Sequence, residues 1–276
     1  MGAYAPSLHT TQAPDIRPRP YGLFSVARPV DDSSSHWRNG EKWEPDPCGT
    51  AGGIGPDCDP ESAIGLPKTF KRQDELTETT AFVVYGSYLC SPIGRDPAEA
   101  TERARRDLEL HEERAVEEFL WTGELGNAPS LTDSATNLTA TAVDPATAIG
   151  LLEQFLAERY GGIGVIHVPR LAVATLKAHQ LIYADGPQLV TCLDTPVAAH
   201  SADTNTAPNG DAAGEDTAWA YITPALRITR SPVFSDEHDL KLLDRKTNDL
   251  YAVAERYYSV GWDDCGHAAA NLNLGS

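Results

Sequence analysis

Basic residues are scarce in this chain. Lys and Arg number 22 against 40 Asp and Glu, giving a formal net charge of -18. Wrapping nucleic acid calls for clustered Lys and Arg, so this balance argues against a DNA- or RNA-binding surface. It also repels anionic membrane. Long apolar runs are missing, and no stretch approaches the roughly 20 residues that span a bilayer. The opening MGAYAPSLHTTQAPDIRPRP lacks the basic-then-apolar order of a secretory signal. Its Met1-Gly2 start is a weak myristoylation signal, because Pro6 stands where Ser or Thr is needed. The five cysteines, Cys48, Cys58, Cys90, Cys192 and Cys265, are scattered and form no CxxC pair. They read as mostly reduced, structural thiols, with Cys48 and Cys58 able to pair under oxidising conditions. A P-loop, a dinucleotide glycine fingerprint, a nucleophile elbow and HExxH are all lacking. Gly161-Gly162-Ile163-Gly164 precedes a strand, so it reads as a helix end and turn rather than a phosphate cradle.

What the chain does have is a long, highly charged helix, AEATERARRDLELHEERAVEEFLWTGELG, running from Pro97 to Trp121. Ala104, Leu108, His111, Ala115 and Phe119 recur at three- and four-residue steps and form a narrow apolar stripe. Asp96-Pro97 supplies an N-cap and a first-turn proline, and Gly123 and Gly126 follow the end. So polar a helix is expected to lie on a surface, lightly attached. Its Glu and Arg spacings (Glu99, Glu102, Arg103, Arg106, Glu109, Glu113, Arg114, Glu117, Glu118) predict ion pairs in solvent or between subunits.

Before this helix, residues 1–66 are rich in Pro, Gly, Ser and Asp and too poor in apolar area to fold alone. Phe24, Trp37 and Trp43 imply that the segment docks on something. ETTAFVVYGSYLCS (Glu78 to Ser91) is strand-like. After the helix comes a Thr/Ser-rich loop. Asp144-Pro145 opens a second helix, GIGVIHV reads as a buried strand, and Pro169 is expected to start a third helix. QLVTCLDTPVAAH, TAWAYITPALRITR and LYAVAERYYSVGW read as further strands around polar loops. Strands and helices are segregated, which makes the fold class α+β.

Few groups offer chemistry. Asp263, Asp264, Cys265 and His267 are metal-ligating types, yet no second ligand pair accompanies them, so a turn is the simpler reading. His167, inside an apolar strand, reads as a hydrogen-bonded core residue, and His111 as packing on the helix stripe. No catalytic, cofactor-binding or metal residues are expected.

The order of elements from residue 78 onward resembles the major capsid proteins of tailed bacteriophages, the Hong Kong 97 type. The charged helix is similar to their spine helix. ATAIGLLEQFLAERYGGIGVIHVPRLAVATLKAHQLI resembles the helix–strand–helix of their A-domain. Arg230, Asn248, Glu255 and Arg256 sit where the closing strands of that family carry such residues. The resemblance implies an N-terminal arm (1–30), then an extended loop with the first P-domain strand (31–90). A P-domain with the spine helix (91–143), an A-domain (144–216), and A-domain strands returning to the P-domain (217–276) follow. It implies a structural shell protein, not an enzyme, assembling with itself as hexamers and pentamers into an icosahedral virion around double-stranded DNA. Assembly would take place in the host cytoplasm, with possible separate scaffold, portal and decoration proteins and no membrane partner. Trp37, Trp43, Arg103, Arg106, Glu113, Arg114, Glu117, Arg230, Glu255 and Arg256 are the expected subunit-interface residues. Two rivals remain open: an encapsulin-type nanocompartment shell, and a small metal-dependent hydrolase using His167, Asp263, Asp264 and His267.

Overall fold

The computed structural model describes residues 16–46, 48–49, 51–52, 76–91, 96–202, 205–235, 243–244, 246–263 and 265–275. The helices are α1 (Leu23–Val26), α2 (Pro97–Thr122), α3 (Pro145–Arg159) and α4 (Ala172–Ala178). One sheet is built around the longest strand. It holds β1 (Val30–Asp31), β4 (Ala81–Cys90), β11 (Leu226–Arg230), β12 (Phe234–Ser235), β13 (Leu243–Asp244) and β14 (Asp249–Trp262). β14 pairs antiparallel with β4 over Leu250 to Ser259 and with β11 over Tyr258 to Trp262.

The second sheet runs β5 (Thr136–Asn137), β15 (Ala268–Asn273), β10 (Thr217–Thr223), β6 (Val165–Pro169), β9 (Pro196–His200), β8 (Gln188–Thr191) and β7 (Ile182–Asp185). A small ribbon, β2 (Glu41–Trp43) with β3 (Thr77–Thr79), crosses the end of β14. Two sheets with separately packed helices bear out the α+β class.

Local signals account for the helices. Asp96 caps α2 by accepting from the Ala98 amide, and Gly123 closes it at φ 66. Asp144 caps α3 from the Thr147 amide at 3.0 Å. Pro169, expected to open a helix, instead ends β6, and α4 begins at Ala172. Proline's missing amide is tolerated there because the strand is ending.

Two cores result. In the first, α2 lies on β4 and β14 with Ala100, Ala104, Leu108, Val116, Leu120 and Trp121 buried against Phe82, Val84, Ala252, Ala254 and Tyr258. In the second, α3 and α4 cover β6, β10 and β15 through Leu152, Phe155, Leu156 and Leu176. So α2 is not lightly attached. Its buried seam steps by four through residues 100, 104, 108, 112, 116 and 120, and His111 falls outside it, its side chain 63% exposed. The seam is flat because β4 meets it with Gly86. A Cβ at Gly86 would overlap the backbone of Leu108 and Ala104.

Gly86→Val is therefore expected to push the helix off the sheet and cost about 1–3 kcal/mol. The cost would be read as a lower urea midpoint. The same change at Gly161, where nothing approaches within 4 Å and φ is not left-handed, is the control that leaves packing untouched.

Candidate functional site

The functional candidates of this chain are surfaces and charge clusters. Residue 112, the centre of the α2 seam, is a glutamate that is only 8% exposed. An ion taken from water this far must be paired and hydrogen-bonded. Arg256 Nη1 donates to both Glu112 oxygens, at 3.2 and 3.1 Å, and the Tyr258 hydroxyl donates at 2.8 Å. Arg230 Nη1 stands 3.5 Å from Glu112, while its Nε donates to Asp31 at 2.6 Å. This bond to Arg230 holds the Asp31 carboxyl below its ordinary range, and Arg230 is raised in return. One helix and three strands, β1, β11 and β14, are thus joined through one carboxylate.

Glu117 is fully buried. It accepts from the Leu23 amide at 3.0 Å, and from the Ser201 amide and hydroxyl, both at 2.7 Å. Glu113 accepts from the Phe24 amide at 2.8 Å, and burial pushes its carboxyl upward. Gly22 leaves room for both carboxylates, since a Cβ there would meet their oxygens. Further bonds come from β9 and its surroundings: the Ala199 amide donates to Tyr21 O at 2.8 Å, and Arg170 to Pro20 O at 2.7 Å. The segment from Pro20 to Ala27 is therefore docked on its own chain. Glu113 and Glu117 do not form the solvent ion pairs that helical spacing suggested. Arg103–Glu99, at 2.9 Å and half-exposed, follows that expectation, with Arg103 also stacked over Tyr88.

The other expected interface residues divide. Trp37 is 5% exposed in a 3-10 turn (His36–Asn39), and Trp43 is half-buried with Nε1 donating to Asp263 at 2.8 Å. Both dock on the same chain. Arg256 and Arg230 are committed to Glu112. Arg106 and Arg114 are exposed on the outer side of α2, and Glu255 is half-exposed on the sheet face away from it.

That outer face carries a surface the sequence reading overlooked. Tyr85 and Leu89 are each 67% exposed and Tyr251 is 41% exposed. Register places Leu89 opposite Tyr251 and Ser87 opposite Val253. β4 is also an edge strand among the described residues, and its Ser87 amide is capped by Asp107 at 3.1 Å. The pattern of AFVVYGSYLC was the available signal: apart from Ser87 the odd positions are apolar, although α2 covers only the even ones.

The described members of the metal-ligating group of the rival reading are spent on other contacts. Asp263 is bonded to Trp43, His267 Nε2 lies 3.2 Å from Leu131 O, and Asp264 is outside the described residues. Cys265 is joined to Cys48 in a disulfide across 217 residues, which corrects both the reduced-thiol reading and the Cys48–Cys58 pairing. Cys58 lies outside the described residues. Among the described residues no three or more metal-ligating side chains converge, and no helix is long and apolar enough to cross a membrane.

His167 is a buried, hydrogen-bonded core residue, as expected, but it has a histidine partner. Its Nδ1 is 2.9 Å from His200 Nε2 and its Nε2 is 3.1 Å from Thr223 Oγ1. Trp121, at the end of α2, packs edge-on against His200 and Tyr221. Burial depresses both histidines below the ordinary 6.5, and each opposes protonation of the fold. The junction between α2 and the second sheet is thus held by neutral imidazoles.

Two outcomes follow from these contacts. Glu117→Ala should leave the Leu23 and Ser201 amides without acceptors and cost about 3 kcal/mol or more in urea unfolding. Glu109→Ala, on the exposed side, should stay within about 0.5 kcal/mol. Because the folded histidines bind protons only below the unfolded value of 6.5, the unfolded state gains protons first as pH falls. Stability should drop below that pH by up to about 1.4 kcal/mol per pH unit for each histidine. His200→Gln should flatten the slope measured between neutral pH and pH ~5.

No protein-family model matches this chain, and no curated protein sequence matches it significantly. Solved structures do. The capsid of a native GTA particle is 14% identical, with a TM-score of 0.55, over 98% of this chain and 95% of that one. The capsid of Ralstonia phage GP4 is 11% identical, with a TM-score of 0.54, over 99% and 96%. A structure from Microbacterium phage Oxtober96 is 12% identical, with a TM-score of 0.54, over 96% of each chain. Matching end to end in this way, the chain has the Hong Kong 97 type capsid fold.

Proposed function

We propose that this chain is a shell-forming structural protein, a phage major capsid protein. Copies assemble as hexamers and pentamers into an icosahedral virion capsid that encloses double-stranded DNA. The carrying observation is the end-to-end likeness to the GTA and Ralstonia phage GP4 capsids. The chemistry agrees. Of the groups a hydrolase would converge, Asp263 is bonded to Trp43, His267 lies against Leu131 O, and the His167 pair is closed to solvent. A net charge of -18 keeps packaged DNA from adhering to the wall.

In this reading the first sheet with α2 is the P-domain and the second sheet with α3 and α4 is the A-domain. Residues 1–30 are the arm, and the extended loop lies within 31–90. Copies meet through the exposed sheet face of Tyr85, Leu89 and Tyr251, with Glu255 setting register beside it, and through Arg106 and Arg114 on the opposite, outer side of α2. Trp37, Trp43, Glu113, Glu117, Arg230 and Arg256 support that surface from inside the protomer. Portal and decoration proteins, and a separate scaffold if one is used, are partners met during assembly in the host cytoplasm.

Size-exclusion and negative-stain imaging of purified protein test this. Closed particles or capsomer rings are expected, and a monomer at every concentration would overturn it. Tyr85→Lys, which meets Glu255 across the strands, with Leu89→Lys should leave the unfolding free energy of the protomer within about 1 kcal/mol. Particle yield should fall by about tenfold or more, since two charges are forced into an apolar contact.

A further inference from the structure

The ribbon β2–β3 is pinned to the end of β14 by several independent contacts. Trp43 Nε1 donates to Asp263 at 2.8 Å, and Thr79 Oγ1 shares a hydrogen bond with Ser259 Oγ at 2.7 Å. Gly261 has no side chain where Thr79 and Trp43 cross, and a Cβ there would overlap the Thr79 methyl. Just beyond Trp43, the Gly49 amide donates to Arg159 O at 2.8 Å, at the end of α3. Cys48 is bonded to Cys265 with Cα atoms 5.2 Å apart. Cys265 sits in the turn between β14 of one sheet and β15 of the other. The bond therefore fastens the strand leaving the ribbon to the point where the chain passes between its two sheets. The returning strand, β3, has the ladder and Thr79 but no covalent tie.

We propose that Cys48 and Cys265 form a thiol–disulfide latch, open in a reducing cell and closed in an oxidising medium, that locks β2 and the Cys48–Gly49 step onto the junction of the two sheets. The proposal rests on the shell reading only for the moment of closure, which would be release from the cell.

The two positions suit a two-step exchange. Cys48 is half-exposed and Cys265 is 6% exposed. The Cys48 thiolate attacks a low-molecular-weight disulfide such as oxidised glutathione, forming a mixed disulfide and releasing one small thiol. The Cys265 thiolate then attacks the Cys48 sulfur and releases the second small thiol. Two protein thiols are oxidised, one small disulfide is reduced to two thiols, and the two protons pass to them. Docking by Trp43 and Gly49 holds the two cysteines together before the bond forms, so closure needs no rearrangement of the sheets. Cys90 and Cys192, free in the structure, serve as internal controls.

The test uses the full chain. Thiols are alkylated at the moment of cell lysis in one sample. Another is purified without reductant, incubated with oxidised glutathione and then alkylated, and both are peptide-mapped by mass. The latch predicts alkylated Cys48 and Cys265 in the first sample and a Cys48–Cys265 linked peptide in the second, with Cys90 and Cys192 alkylated in the first and carrying at most a glutathione in the second, never linked to another protein cysteine. Amide exchange across β2 and at Cys48 and Gly49 should slow by about tenfold on closure, the shift a modest change in opening free energy produces. Cys48→Ser should not respond to the oxidant. A link already present at lysis, a link from Cys48 to Cys58, or closure without any change in exchange would each overturn the proposal. Imaging the same samples reports separately on shell formation, so failure of one reading is distinguishable from failure of the other.

Discussion

Burying the carboxylates of one helix is the constraint on which this protein's arrangement depends. Glu112 and Glu117 lie on the side of α2 that faces the rest of the chain, where an unpaired carboxylate could not remain. Every partner they find comes from elsewhere in sequence: Leu23, Ser201, Arg256 and Tyr258. The helix is not held by apolar area alone. Its position is specified by donors that must all arrive together, which links α1, the loop after β9, β14 and, through Arg230 and Asp31, β11 and β1. Such a network adds modest net stability but penalises any other placement of the helix heavily.

The same constraint divides inside from outside. Because α2 and its carboxylates cover the even positions of β4 and β14, the odd positions face away, and there the chain exposes Tyr85, Leu89 and Tyr251 beside Ser87 and Glu255. A sheet buried on one face and carrying large exposed apolar side chains on the other is unfinished in a single copy. It becomes complete when another surface covers it, which is what a shell supplies. The Asp107 carboxylate on the Ser87 amide guards the open edge of β4, so that the strand does not pair indiscriminately.

Local elements were legible in the sequence because local chemistry makes them. The caps at Asp96 and Asp144, the long helix, the buried strand with its core histidine and the α+β order all follow from short-range pattern. What was hidden lies in contacts between distant segments. The step-of-four run from Ala100 to Leu120 includes Glu112, and reading charge as solvent exposure moved the stripe onto His111 and Phe119. The Cys48 partner is 217 residues away, and a scattered cysteine spacing carries no sign of it. Trp37 and Trp43 clearly needed a surface, but only the fold shows that their own chain provides it. Pro169 misled because proline serves the end of a strand as readily as the start of a helix.

A reconstruction of the assembled protein by electron cryomicroscopy, at a resolution that shows side chains, is the most direct measurement. The account requires a closed shell in which each copy keeps Glu112 and Glu117 bonded to its own residues while Tyr85 and Leu89 are covered by a neighbour. Glu117 bonded across a subunit boundary, or Tyr85 and Leu89 open to solvent in every copy, would contradict it.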